Sequence, residues 1–432
     1  MNTIKKFYAL AAITMLLPGV VKSQEKTIEV QNLDDVTSIV RECRDGDWMV
    51  CNNSNGRTRF TKVNEYGSTA DQLWLGYTVD SDSMRVNDFE IFRDTVYFCG
   101  QIWYWGYSYA VWGYFPVSGF PSLTVRYHEH DYIRSFKKMD VFSADTATVD
   151  LHVVLLADME EEDMSDLVVD EVRTAPHTFN QNESPVFESQ ENYRFYDVEI
   201  TDMHVAISTS MNSGSVLFID KPTTLSTSIF TSNAVNNPLY TLPCTGPIPL
   251  EYCKNDILVA AFRTLFDQNL HVESFSLAVP QYHLSIDETT LMYPVDLKFN
   301  RQKDALELLA NPYGNNTFSV IYHLNHSLTA NGGPLFCHMF KPESLNSLEW
   351  LSSKDVFFVA SGHDAGQQHL HLYKYRYDDW GECTEQLIAN ARKLSVLKSP
   401  TKPPMVFYQT KIETDVLESF DLDNPLKIKC GK

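Results

Sequence analysis

The side chains best suited to hold a ligand lie in one stretch of this 432-residue chain, Trp103-Tyr-Trp-Gly-Tyr-Ser-Tyr-Ala-Val-Trp112. Trp and Tyr rings are flat, rigid and amphipathic. They stack on sugar faces or anchor a protein contact. Gly106 and Ser108 interrupt the run and mark a loop or hairpin tip. Trp103, Tyr104, Trp105, Tyr107 and Tyr109 are therefore the candidate ligand-binding residues. The competing use of the same rings is packing between neighbouring sheets, and only some of them can point into one core.

Other constellations are weaker. His369 and His371 would share one face of a strand and could reach one metal ion, but no third ligand is fixed by spacing. His128-Glu-His130-Asp131 falls in a polar link. The acidic run Glu160–Asp163, with Asp166, Asp170 and Glu171, lacks the alternating Asp/Asn–Gly pattern of a calcium loop and reads as a solvated face. No G-x-S-x-G, H-E-x-x-H, Walker or dinucleotide motif occurs, so no catalytic residue is singled out. No metal or cofactor is expected.

Residues 1–23 have the form of a secretory signal: Lys5-Lys6, an apolar core Phe7–Leu17 too short to span a bilayer, then Val21-Lys-Ser23. Without them the net charge moves from −21 to −24, a surface that repels phosphate backbones and makes nucleic acid an unsuitable partner. No later stretch is apolar enough for a transmembrane helix in the mature chain. The expected location is exported: periplasm, cell surface or medium. There, the 8 cysteines permit disulfides. Cys244 and Cys253 flank a Pro-rich loop and are the first pair to expect, ahead of Cys43–Cys51 and Cys337–Cys383.

These residues must be positioned by strands. Asn87–Gly100 holds two β-prone runs, Phe89–Phe92 and Thr95–Cys99, around a polar Arg93-Asp94 turn, and Gly100 closes the unit. An Asp followed by an apolar run recurs at Asp47, Asp94, Asp150, Asp202, Asp256, Asp304 and Asp355, with a degraded eighth copy at Asp415. Intervals near fifty residues, filled with short strands, point to an all-β repeat. One helix is expected, over Thr384–Leu397, from apolar residues at helical spacing.

A small sheet cannot bury both faces alone, and sheets arranged radially shield one another. The pattern resembles a single β-propeller, and more diffusely the uncharacterised exported propellers of Gram-negative envelopes. That resemblance implies seven blades, or eight, closed by N- and C-terminal segments, with Met405–Cys430 joining the first strands. The domain would span residues 36–432, after a lead segment at 24–35. Two stacked β-sandwiches would show similar alternation. The expected function is non-catalytic binding or scaffolding of an envelope protein or glycan. The alternative is a carbohydrate-active enzyme with carboxylates at the propeller channel.

Overall fold

The computed structural model describes the strands and their turns between residues 28 and 412. Residues 1–27, 413–432 and several links, among them 129–132, 160–164, 173–183, 222–238 and 395–407, lie outside the described residues. No α-helix occurs among the described residues.

After β1 (Ile28–Val30), four strands form an antiparallel meander: β2 (Ser38–Glu42), β3 (Trp48–Ser54), β4 (Arg57–Val63) and β5 (Thr69–Leu75). The same unit returns as β6 (Ser83–Phe92), β7 (Thr95–Tyr104), β8 (Tyr107–Pro116) and β9 (Thr124–His128). It returns again as β10 (Ile133–Ser143), β11 (Leu151–Met159), β12 (Ser165–Val172) and β13 (Ser184–Glu188). Next come β14 (Phe195–Ile200), β15 (His204–Thr209), β16 (Ser215–Asp220) and β17 (Leu239–Thr241). Two further meanders follow: β18 (Leu250–Tyr252), β19 (Ile257–Arg263), β20 (Leu270–Ser276), β21 (Val279–Asp287), then β22 (Met292–Asn300), β23 (Ala305–Pro312), β24 (Ser319–Asn325), β25 (Pro334–Phe340). The last unit has β26 (Ser344–Leu351), β27 (Val356–His363) and β28 (Leu370–Arg376), and takes β1 as its fourth strand, with Ile28 opposite Leu372.

Two C-terminal strands depart from expectation. The segment expected as a helix is β29 (Thr384–Leu394), which pairs with β21 on one side and β25 on the other, merging two units into one nine-stranded sheet. Two bare outer edges offer more backbone hydrogen bonds than an isolated helix could gain from its own apolar face. Nor does the C-terminal strand β30 (Tyr408–Ile412) join the first strands. It pairs with β13.

The turn expected between the first two strands is present. Arg93 and Asp94 have φ of 49° and 62°, and Asn255 and Asp256 of 53° each. Positive φ at both central residues is the hairpin turn whose twist matches the strands it joins. Asp94 and Asp256 of the sequence repeat occupy this turn, and Asp304 also has positive φ, 57°.

The second strands β7, β11, β15 and β19 are largely apolar because both of their faces are covered. On β7, Val96, Phe98 and Ile102 join the core shared with β2–β5, while Tyr97 and Cys99 join the core shared with β10–β13. The side chains of β11, β15 and β19 divide between two cores in the same way. First strands lie beside one another in order: β2 by β6, then β10, β14, β18, β22 and β26. Small sheets packed on both faces around their first strands are a β-propeller arrangement, which two-layer sandwiches do not provide.

Gly100 lies within β7 rather than closing a strand. It faces a bulge in β6 between Val86 and Asp88, and a Cβ there would fall 1.9 Å from the Arg85 carbonyl oxygen. Backbone cannot yield as a side chain can. Gly100→Ala is expected to destabilise by about 2–3 kcal/mol in denaturant titration, and an unchanged midpoint would refute this reading of the bulge.

Candidate functional site

The first strands carry an alternation of charged and apolar residues. Asp88 and Glu90 lie on β6, Lys138 and Asp140 on β10, Asp197 and Glu199 on β14, Glu251 on β18, and Asp296 and Lys298 on β22. Arg41 lies on β2. The apolar residues between them, such as Phe89, Val198 and Leu297, enter the cores. The register slips by one residue just before Asp88, Lys138, Asp197, Asp296 and Ser347. A bulge re-aims the side chain that follows it, and here five first strands use one in the same place.

The carboxylates share one hydrogen-bonding scheme. Asp88 accepts from its own Phe89 N–H at 3.0 Å and from Met139 N–H of the next sheet at 3.3 Å. Asp140 accepts from Val141 and Ile200 N–H at 2.6 and 2.8 Å. Asp197 accepts from Val198 and Leu250 N–H at 3.1 and 2.8 Å. Tyr252 N–H donates to Glu199 at 3.2 Å, and Phe299 N–H to Glu251 at 2.9 Å. Asp296 accepts from Leu297 N–H and from the Ser347 hydroxyl. Neighbouring sheets share no backbone ladder at their first strands, so each acid stitches its own edge to the next.

Three cations answer these acids. Arg41 reaches Asp88 at 3.2 Å and Glu90 at 3.0 Å. Lys138 lies 3.9 Å from Asp88 and 3.6 Å from Asp197, and Lys298 lies 3.8 Å from Glu251. Burial opposes the charge of Lys138, but Asp88, Asp197 and Asp296 outweigh it and raise its pKa. The acids outnumber these cations. Burial, then Glu90, pushes Asp140 well above the usual carboxylate range. Burial, then Glu251 and Asp140, does the same to Glu199. Burial also raises Asp197, against the pull of Lys138.

The aromatic stretch forms the β7–β8 hairpin. Tyr107 is 68% exposed, and Trp103 and Tyr109 are half-buried. The side chains of Tyr104 and Trp105 lie outside the described residues. Trp112 is fully buried between sheets, so one run serves both uses weighed for it. The bridge expected between Cys244 and Cys253 is not formed. Both are buried, and they pack in different cores. Cys43 and Cys51 are buried and form no disulfide. The acidic run 160–163, residues 129–131, and the side chains of His369 and His371 lie outside the described residues. The imidazoles that do meet are others: His271 with His283 at 2.8 Å, and His323 with His338 at 2.7 Å.

Motif spacing alone does not single out Asp197 and Glu199 within Tyr196–Ile200, or Asp296 and Lys298 within Pro294–Phe299. The available signal was a charge, an apolar residue and a second charge, as in Asp88-Phe-Glu90, Lys138-Met-Asp140, Asp197-Val-Glu199 and Asp296-Leu-Lys298.

Two expectations follow. Asp88 has a side chain only 4% exposed, so Asp88→Ala strands two N–H groups and takes one of its two acids from Arg41. It should cost about 3–5 kcal/mol of unfolding free energy, with Asp88→Asn costing less. Equal, small losses would refute the stitch. Glu199 binds its proton more tightly folded than unfolded. Its contribution is therefore present below the ordinary value of 4.5 and is lost as pH rises through the folded pKa. Glu199→Gln should raise Tm at pH 8, with the gain shrinking toward pH 4. A gain independent of pH would contradict the assignment.

No protein-family model and no curated protein matches the chain. Among solved structures it is similar to a streptogramin B lyase, with TM-score 0.47 and 9% identity over 81% of this chain and 97% of that one. It is similar to Drosophila Plexin A in complex with Semaphorin 1b, with TM-score 0.42 and 10% identity over 82% and 88%. It is also similar to the polysaccharide lyase Uly1, with TM-score 0.41 and 7% identity over 82% and 99%. The likeness is one of chain course at very low identity, and the architecture described above rests on this chain's own strand pairing.

Proposed function

We propose that the chain is an exported, non-catalytic binding or scaffolding protein whose ligand is a protein or glycan of the cell envelope. Its frame is a ring of seven four-stranded units. Two features support the ring: β26 lies beside β2, and β1 completes the sheet of β26–β28, so the two ends of the repeat share one unit. Export is supported by the charged and apolar segment at residues 1–23.

The observation that carries the binding reading is Tyr107. A ring 68% exposed at a hairpin tip adds little to the core, and half-buried Trp103 and Tyr109 lie on the same hairpin. The axial carboxylates are already engaged in holding sheets together, which favours a role in the frame.

One observation favours a second reading, the carbohydrate-active enzyme. Glu199 keeps its proton to higher pH beside Glu251, which faces Lys298 at 3.8 Å. Two neighbouring carboxyls, one of them holding its proton more tightly, are the pairing used in glycoside cleavage.

The test is a glycan array and an envelope-protein pull-down with wild type and with Trp103→Ala/Tyr107→Ala. Capture that falls at least tenfold in the variant, at unchanged Tm, is expected. Equal capture removes the hairpin from the account. Polysaccharide turnover that disappears in Glu199→Gln would overturn the non-catalytic reading in favour of the second.

A further inference from the structure

Arg263 ends β19 and faces β22 of the next unit. Its Nη1 donates to the Tyr293 hydroxyl at 2.7 Å, and the guanidinium carbon lies 5.1 Å from the centre of the Tyr293 ring. Its Nε is enclosed and makes no hydrogen bond. Among the described residues no carboxylate lies within ion-pair distance of it, whereas Arg41, Lys62, Lys138 and Lys298 each meet at least one acid. In a chain of net charge −21, a guanidinium held by an aromatic ring rather than by an acid calls for an explanation.

The surroundings suit a ligand. Tyr313 follows β23 and is 68% exposed, and its ring centre lies 5.2 Å from that of Tyr293 at an interplanar angle of 42°. The Tyr313 N–H donates to the Leu291 carbonyl, which fixes this residue beside the start of β22. Gly246, at φ 95°, lies against the Tyr293 ring, where a Cβ would come within 3.2 Å. A cation and an exposed aromatic ring therefore both lie against Tyr293 at the junction of β18–β21 with β22–β25.

The geometry points to a binding site for a carboxylate-bearing sugar ring, a uronate. The free Nη hydrogens of Arg263 take the carboxylate, and Tyr313 stacks on the C–H face of the ring. A neutral sugar would use the ring alone, and a bare anion the guanidinium alone. The juxtaposition selects a ligand with both. The proposal deepens the glycan form of the binding reading and rests on it, but uses a surface separate from the β7–β8 hairpin.

Calorimetric titration of the full chain with tetragalacturonate and with maltotetraose tests it. Binding of the uronate is expected to be at least tenfold tighter than that of the neutral tetramer and to weaken as salt is raised. Arg263→Gln should reduce it at least tenfold, and Tyr313→Ala about fivefold, with Tm unchanged in Tyr313→Ala. No uronate binding, equal affinity for the two tetramers, or full affinity in Arg263→Gln would overturn the proposal. Uronate binding lost only in Trp103→Ala/Tyr107→Ala would overturn it while leaving the hairpin reading intact. Loss in Arg263→Gln but not in the hairpin variant is the expected result, and the hairpin reading then stands or falls by its own capture experiment.

Discussion

A carboxylate shared between two strand edges is the interaction on which the molecule depends. The first strand of each meander has one edge paired to its second strand and the other edge bare. A buried N–H left without a partner costs about 1–3 kcal/mol. Nine such groups are satisfied by Asp88, Asp140, Asp197, Glu199, Glu251 and Asp296. Left unmet, they would together exceed the net stability of most domains, about 5–15 kcal/mol. A carboxylate suits the task because one oxygen can serve its own strand and the other its neighbour. The bulge just before Asp88, Asp197 and Asp296 turns the side chain toward that gap.

The arrangement has an electrostatic consequence. Acids placed for hydrogen bonding crowd one another at partial burial. Arg41, Lys138 and Lys298 offset some of that repulsion, and proton retention by Asp140 and Glu199 relieves more. Away from the first strands the cohesion is apolar. Phe60, Phe98 and Phe115 meet edge-on or tilted between two sheets, with ring centres 5.0–6.2 Å apart. Each fully buried ring contributes on the order of 2 kcal/mol. At the outer rim, β29 and β30 cover edges that would otherwise pair with other chains.

Much of this was legible in the chain. The Asp turn and the apolar run after it, as in Asp256-Ile-Leu-Val-Ala-Ala, announce a strand covered on both faces. The repeat of that unit gave the propeller-type arrangement. Thr384–Leu394 misled because its apolar spacing fits a helix, and only the tertiary structure reveals the two vacant edges that claim it. Cys244 and Cys253 are near in sequence, yet the strands around them turn the thiols into different cores. The axial charges were visible as letters. Their role was hidden because it depends on which strands become neighbours across about fifty residues. That Arg263 meets a tyrosine and, among the described residues, no acid belongs to the same class of fact, for it depends on which strands become neighbours.

Amide hydrogen exchange at Met139, Ile200, Leu250 and Phe299 tests the stitching of sheets most directly. These N–H groups have no backbone acceptor across the gap and are held by side-chain carboxylates alone. The account predicts protection comparable to that of ladder amides in β7 and β19. Exchange at the rate of a bare strand edge would contradict it.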